Sequence, residues 1–360
     1  MRDPFPIPPI PALSKAVEPL AERLNMPTLP FHIHEVVGAA LLYTFIQTVA
    51  SPVLSTRFFP KYYPRHNRAK KANWDTHVVS LVQSLLINAL ALWVMFADKE
   101  RSAMDFEQRI WGYTGGCGLI QALAAGYFVW DLGITLLNLD IFGLGLLAHA
   151  VSALAVYTLG FRPYLNYYSP TFILYELSTP FLNIHWFLDK LNMTGTKPQL
   201  YNGIALLVTF FLCRLVWGTW QSLVVYADMW RSIHHAPSAG YLAAFFSEKS
   251  TASSNPDTNP MFFARDAAAV PLWLTAVYIA SNIVLNALNW YWFVKMVAAV
   301  RKRFEPTKPG KRQPLPADAV PVTKVSAVED KDRMTVRHRR APSIEDVVPD
   351  SDELREGTIQ

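Results

Sequence analysis

Charge is the scarcest ingredient of this sequence. Only 17% of its 360 residues are Asp, Glu, Lys or Arg, against about 25% in an ordinary soluble domain. What charge there is gathers at one end: residues 301–360 hold 24 of the 61 charged side chains. This distribution excludes a soluble two-domain enzyme and a disordered protein. The net charge of +5 is modest, and the basic clusters flank apolar runs, where they report membrane orientation. No nucleic-acid partner is expected.

Cysteine is almost missing. Cys117 and Cys213 are the only two, too few for a disulfide framework, and each lies in an apolar run where a thiol behaves as a small hydrophobe. Catalytic motifs are missing as well. No GxGxxG, Walker, HExxH or GxSxG pattern occurs, which removes support for nucleotide, zincin and serine-hydrolase chemistry. The pair His234-His235 has no carboxylate or cysteine cluster beside it, so neither a metal site nor a resident cofactor is expected.

What is abundant is apolar length. A spanning helix needs about 20 mostly apolar residues. The stretches 36–56, 76–97, 110–130, 141–161 and 267–294 contain no charged side chain, and 200–227 contains only Arg214. A further segment, 168–188, carries Glu176 and Pro180 and reads as a broken or kinked span. Helices are the solution for lipid-exposed backbone, and no alternation of the β-barrel kind is visible. The expectation is an all-α, polytopic membrane protein with about seven spans.

The prolines at 4, 6, 8, 9, 11, 19, 27 and 30 argue against a signal peptide. They predict an extended or interfacial arm without regular helix over 1–33. Residues 34–69 then supply the first span and a basic loop, 70–300 the main membrane body with a polar insert at 232–266, and 301–360 a tail of disordered composition. Within that tail Arg339-Arg340-Ala341-Pro342-Ser343 fits a basophilic kinase site at Ser343. Arg57, Lys61, Arg65, Arg68, Lys70 and Lys71 follow the first span, and Lys295 to Arg312 follow the last. With seven spans both clusters fall on one side, which the positive-inside rule makes cytosolic. The N-terminus is then lumenal and the C-terminus cytosolic. The single sequon, Asn192-Met193-Thr194, also falls on the cytosolic side and should stay unmodified.

A charged side chain at the bilayer centre costs roughly 2.5–3.5 kcal/mol on insertion scales, so each one asks for a partner or a cavity. The candidates are His77, Asp131, His149, Glu176, His185, Arg214 and Asp228. His77 and Asp131 also suit an interfacial position. His149 stands alone in GLGLLAHAVSALAVY; it is either a neutral histidine bonded to a neighbouring helix or a general base in a polar cavity. Arg214 requires an acceptor, which Glu176 or Asp131 can supply. The pair would either hold the bundle together or grip a phosphate or carboxylate headgroup. On a continuous helix Glu176 and Asn183 share a face, with His185 nearly opposite Glu176.

The stretch GYFVWDL at 126–132, the mid-span His149, YELSTPFLNIHWFLDKLN at 175–192 and FFLCRLVWG at 210–218 together resemble the TLC domain. This is the domain of translocation-associated membrane proteins, longevity-assurance ceramide synthases and ceroid-lipofuscinosis membrane proteins. The resemblance covers roughly 70–300, and ELSTPFLN is most similar to the small TLC domain-containing proteins. It implies a helical bundle around a central cavity, in the endoplasmic reticulum or a connected membrane. Ceramide synthases of this family use two adjacent histidines to move an acyl group from acyl-CoA to a sphingoid amine. By position His149 is similar to the first, but Ala150 follows it. Glu176 and Asn183 stand where those enzymes carry a His-Asp and Asp signature.

Two function classes therefore stay open, and with them whether the protein is an enzyme. One is a lipid-homeostasis protein that binds, senses or moves a membrane lipid in a cavity lined by Asp131, His149, Glu176, Asn183, His185 and Arg214. The other is an acyl-CoA-dependent N-acyltransferase, ceramide synthase-like, with His149 as base oriented by Asp131 or Glu176. A receptor has only the span count in its favour. Membrane lipids are the expected partners; nothing in the sequence names a protein partner.

Overall fold

A computed structural model describes residues 1–234, 261–264 and 271–304. Most of the polar insert, the tail beyond 304, His235 and Ser343 lie outside the described residues. The elements are α1 (Pro11–Leu24), α2 (Leu29–Phe58), α3 (Arg68–Ala97), α4 (Gly115–Leu137), α5 (Leu139–Leu159), α6 (Thr179–Lys190), α7 (Lys197–His234) and α8 (Leu272–Phe304). Short helical turns fill 99–111 and 166–178. Among the described residues there is no strand, and six helices are long and apolar enough to cross a membrane. Large apolar side chains point outward around the bundle, with Phe96 85% and Leu137 74% exposed. Such a surface suits lipid and not water.

The helices start where the sequence supplies caps. Asn67 accepts a bond from the Lys70 amide at the head of α3, and Thr114 does the same for Cys117 at the head of α4. The N-terminal arm departs from expectation, because residues 11–24 are helical. Pro11 occupies the first turn, where a missing N–H costs nothing. Only Pro19 is interior, and one such break is offset by docking on α2, where the Ser14 hydroxyl donates to the Pro30 carbonyl at 2.6 Å.

α4 is the central helix. Of its most apolar stretch 67% is buried, against 39% or less in the other five long helices. Its small residues, Gly115 to Gly118 and then Ala122, Ala124, Ala125 and Gly126, let α2 and α5 approach closely. At Gly126 an added Cβ would lie 2.7 Å from the Ala39 Cβ and closer still to the Val36 carbonyl. Because the obstacle is backbone, Gly126→Val should cost about 1–3 kcal/mol or more, read as a fall in thermal midpoint of the purified protein. An unchanged midpoint would show that α2 and α4 are not held together there. α5 contains one break, at Gly143 with φ 72°, a conformation that a Cβ opposes.

The segment between α5 and α7 decides the topology. It is not one helix but two short turns, a 3₁₀ stretch at Leu174–Ser178 and then α6. At its start the Phe161 carbonyl accepts from the Thr28 amide and hydroxyl, at the head of α2. At its finish Trp186 packs edge-on to Trp74, and Leu191 joins the cluster of Tyr63 and Trp74 at the head of α3. The broken run therefore carries the chain from one end of the bundle to the other. α8 begins beside Tyr164, with Thr275 3.3 Å from its hydroxyl, so it starts at the Thr28 end and finishes at the Tyr63 end. The first basic cluster and the described part of the second, Lys295 to Arg303, share that second end. The 3₁₀ stretch winds at about 3.0 residues per turn instead of 3.6, and it separates the faces of Glu176 and Asn183 that a continuous helix would align.

The sequon occupies the turn after α6, also at the Tyr63 end. Asn192 is exposed with φ 59°, and the Thr194 hydroxyl donates to Asp189 at 2.6 Å. Expressed in a glycosylating host, the protein should show no mobility shift on enzymatic deglycosylation. A shift would put this end, and both basic clusters, in the lumen.

Candidate functional site

Five elements enclose a largely apolar pocket inside the bundle, with a few polar groups in its wall. Phe128 of α4, His149 of α5, Glu176 of the broken run, Arg214 of α7 and Asn282 and Asn289 of α8 all line it. Its atom-free space is about 510 Å³ out to the mouth, of which about 40 Å³ can hold the centre of a water-sized group. It is thus a narrow slot, wide enough for one polar group or one alkyl chain at a time.

Arg214 organises the slot. It lies in a π-helical turn, Phe211–Trp217, a distortion common at functional positions. Nε donates to Ser178 Oγ at 3.0 Å, Nη1 to Asn289 Oδ1 at 3.0 Å, and Nη2 to Thr179 Oγ1 at 3.0 Å and Glu176 Oε1 at 3.5 Å. The guanidinium also rests 5.0 Å from the Phe210 ring centre. A guanidinium has five N–H groups. Four are engaged, and the fifth, on Nη1, has no acceptor among the described residues. Glu176 Oε2 likewise receives no bond from a described donor. One donor and one acceptor are left at the slot, beside a charge pair that the surrounding apolar rings keep from water.

His149 contributes a third polar group. Its ring packs against Phe128 and Trp292, with centres 6.2 and 5.6 Å apart. Among the described residues no carboxylate bonds to it, and it lies near enough to Arg214 to feel that charge.

The remaining expected cavity residues lie elsewhere. Asp131 follows Phe128 by three positions on α4 but does not line the slot. Asn183 is turned to α3, where its Oδ1 accepts from His77 Nδ1 at 2.7 Å and its amide donates to Ser80 at 3.0 Å. His77 in turn stacks on Trp186 at 4.1 Å, so this group fastens α6 to α3. His185 is buried at the α6–α7 contact, close to Gly203. Asp228 lies at the Thr28 end of α7, bonded to Arg109 and Tyr168. His234 bonds and stacks on Trp230 of its own helix.

The slot also draws on residues that a reading keyed to charge passes over. Asn282 and Asn289 are uncharged, yet with Asn286 they recur at i, i+4 and i+7 in an otherwise apolar helix. That spacing marks a single face. Ser178 and Thr179 carry no comparable signal, because short hydroxyl side chains are ordinary in apolar helices.

A second polar group forms at the Thr28 end, where the arm folds back on the bundle. Asp3 approaches His32 and Glu35 of α2, while the Met1 amino group pairs with Asp98 at 2.9 Å and Glu100 at 2.6 Å. Burial, then the neighbouring Glu35 carboxyl, pushes the Asp3 carboxyl up to about 7.

Comparison with known proteins agrees with the architecture. The TLC domain family model matches residues 73–298. An uncharacterized TLC domain-containing protein of Schizosaccharomyces pombe is 39% identical over 292 residues, covering 81% of this chain and 87% of that one. The Saccharomyces cerevisiae protein named topoisomerase I damage affected protein 4 is 25% identical over 286 residues, 78% and 88% of the two chains. Human TLC domain-containing protein 4 is 31% identical over 149 residues, 41% and 55% of the two. The six apolar helices, the broken run threaded among them and the matched span of sequence together establish that this chain belongs to the TLC domain family.

Proposed function

We propose that the protein binds a membrane lipid by a polar headgroup or carbonyl seated in the slot between α4, α5, α7 and α8, and that it acts in lipid homeostasis. The observation that carries this reading is Arg214. It is buried and held by four groups, and it still offers one N–H to the slot beside an unused Glu176 oxygen and His149. A donor and acceptor side by side suit a headgroup that has both an acidic oxygen and a hydroxyl or amine. The apolar remainder of the wall suits an alkyl chain.

The arrangement favours binding over acyl transfer. A general base works best when a second group orients it, and His149 is positioned by aromatic rings instead. Of the two expected orienting acids, Asp131 does not line the slot, and Glu176 lines it but is bonded to Arg214 and not to His149. The acyltransferase alternative would need acyl-CoA as co-substrate, and purified protein given acyl-CoA and a long-chain base should form no N-acyl product. The shared end of the two basic clusters supports a cytosolic C-terminus, a lumenal N-terminus and seven crossings, in the endoplasmic reticulum or a connected membrane.

The test is lipid extraction and mass analysis of protein purified in mild detergent. Wild type should retain a lipid class above its abundance in the host membrane, with His149→Ala retaining less. Equal lipid profiles for wild type and host membrane extract would overturn the reading.

A further inference from the structure

The group formed by the arm and α2 has the composition of a metal site. We propose that Asp3, His32 and Glu35 bind a divalent cation of the zinc type, which pins the N-terminal arm to the first membrane helix. One ligand atom from each lies within 4.8 Å of the others. His32 Nδ1 is 3.0 Å from Glu35 Oε2 and 3.6 Å from Asp3 Oδ2. Zinc bonds to nitrogen and oxygen of about 2.0–2.1 Å give tetrahedral edges of about 3.3 Å; the two separations from His32 lie near that edge, and the Asp3–Glu35 one is within 4.8 Å. Two carboxylates and an imidazole also match its preference for mixed oxygen and nitrogen donors.

The surroundings are those of a ligand shell and not of a chance cluster. Glu35 is fully buried, with Oε2 facing His32 and Oε1 left without a hydrogen-bond partner; such a half-satisfied buried carboxylate is costly, and a cation bound at Oε2 offsets its charge. His32 Nε2 lies 2.6 Å from the Tyr113 hydroxyl. With Nε2–H donated there, the Nδ1 lone pair faces the carboxylates, the orientation that outer hydrogen bonds impose on metal-bound histidines. Gly118 of α4 leaves the room for this ring; a Cβ there would stand 2.5 Å from Nε2. Phe263 packs against both Tyr113 and Phe31, beside the histidine's partner. Nearby His34 uses its Nε2 on the Ile7 carbonyl at 2.9 Å, a second tie between arm and helix.

Spacing in the sequence does not disclose this site, because Asp3 reaches it only through the folding of the arm. Its test uses the full chain purified without chelator, stripped, and titrated with Co²⁺ and Zn²⁺. Wild type should develop the visible absorption of low-symmetry Co²⁺, lose it to stoichiometric Zn²⁺, and melt at a higher temperature with Zn²⁺ than with chelator. Asp3→Asn and Glu35→Gln should each weaken Co²⁺ binding by at least about tenfold. Asp3 packs against Gly115 of α4 through its backbone, and Asp3→Asn keeps the side chain's size and an oxygen for the Phe5 amide, so this variant keeps the fold. His234→Ala combined with His235→Ala should leave the titration unchanged. The site is overturned if wild type shows neither the Co²⁺ spectrum nor a zinc-dependent midpoint. It is equally overturned if Asp3→Asn titrates as wild type does, or if the His234/His235 variant alone loses the metal.

Discussion

Arg214→Ala should lower stability by about 3–5 kcal/mol and strip the protein of its retained lipid. The stability loss follows from what the guanidinium leaves behind. Glu176 would remain as a buried carboxylate with its cationic partner among the described residues gone, and Ser178, Thr179 and Asn289 would each lose a donor. Breaking one side of a buried ion pair carries a cost of that size. Replacing both partners by apolar residues does not, so Arg214→Leu with Glu176→Leu should recover much of the thermal midpoint. The double variant separates two roles of the pair. If Arg214 only holds helices together, restoring stability should restore the lipid; if it grips a headgroup, the double variant should be stable and lipid-free. Arg214→Lys keeps the charge but loses the planar fork, and should fall between wild type and alanine. A double variant that is both stable and lipid-loaded would refute the headgroup role.

The long helices were legible because each is an apolar run of membrane length, and a backbone in lipid has few other options. The two basic clusters gave their common end for the same reason, since charge cannot follow a helix into the bilayer. The arm helix was hidden because α1 is stabilised by α2, a tertiary contact that outweighs its interior Pro19. That Arg214 must find an acceptor was legible, because an arginine in an apolar run cannot stay unpaired; which of Glu176 and Asp131 supplies it was not. Asn183 was not placed correctly, because the 3₁₀ stretch at Leu174–Ser178 shifts the register by a fraction of a turn; Pro180 signals a break in the segment but not the angle it takes. Asp131 shows a different limit. Its position along α4 is close to that of Phe128, but whether a side chain reaches a slot depends on the neighbouring helices, which periodicity does not describe. The Asp3, His32 and Glu35 group was the least accessible, because it joins the arm to a helix that begins more than twenty residues later.

Asp228→Ala should be as destabilising as Arg214→Ala, at about 3–5 kcal/mol, yet leave lipid retention intact. Asp228 is buried and accepts a forked pair from Arg109, Nε at 2.7 Å and Nη2 at 3.0 Å, together with the Tyr168 hydroxyl at 2.6 Å. Arg109 belongs to the turn before α4 and Tyr168 to the start of the broken run, so one carboxylate joins three separate parts of the chain. Arg101 reinforces the same end, donating to the Tyr167 carbonyl at 3.1 Å and the Thr171 hydroxyl at 2.8 Å, with its guanidinium 4.2 Å from the Tyr167 ring centre. Asp228→Asn keeps an acceptor for Tyr168 and should cost less than alanine. The separation from the slot is what gives the comparison its force. Residues 214 and 228 are about 21 Å apart along a helix rising 1.5 Å per residue, and changes that far apart usually add independently. If Asp228→Ala loses midpoint but keeps its lipid at a temperature where it remains folded, while Arg214→Ala loses both, the slot is the binding site and the Thr28 end is its frame. If the two variants lose lipid equally, retention tracks stability alone, and the headgroup assignment of Arg214 fails.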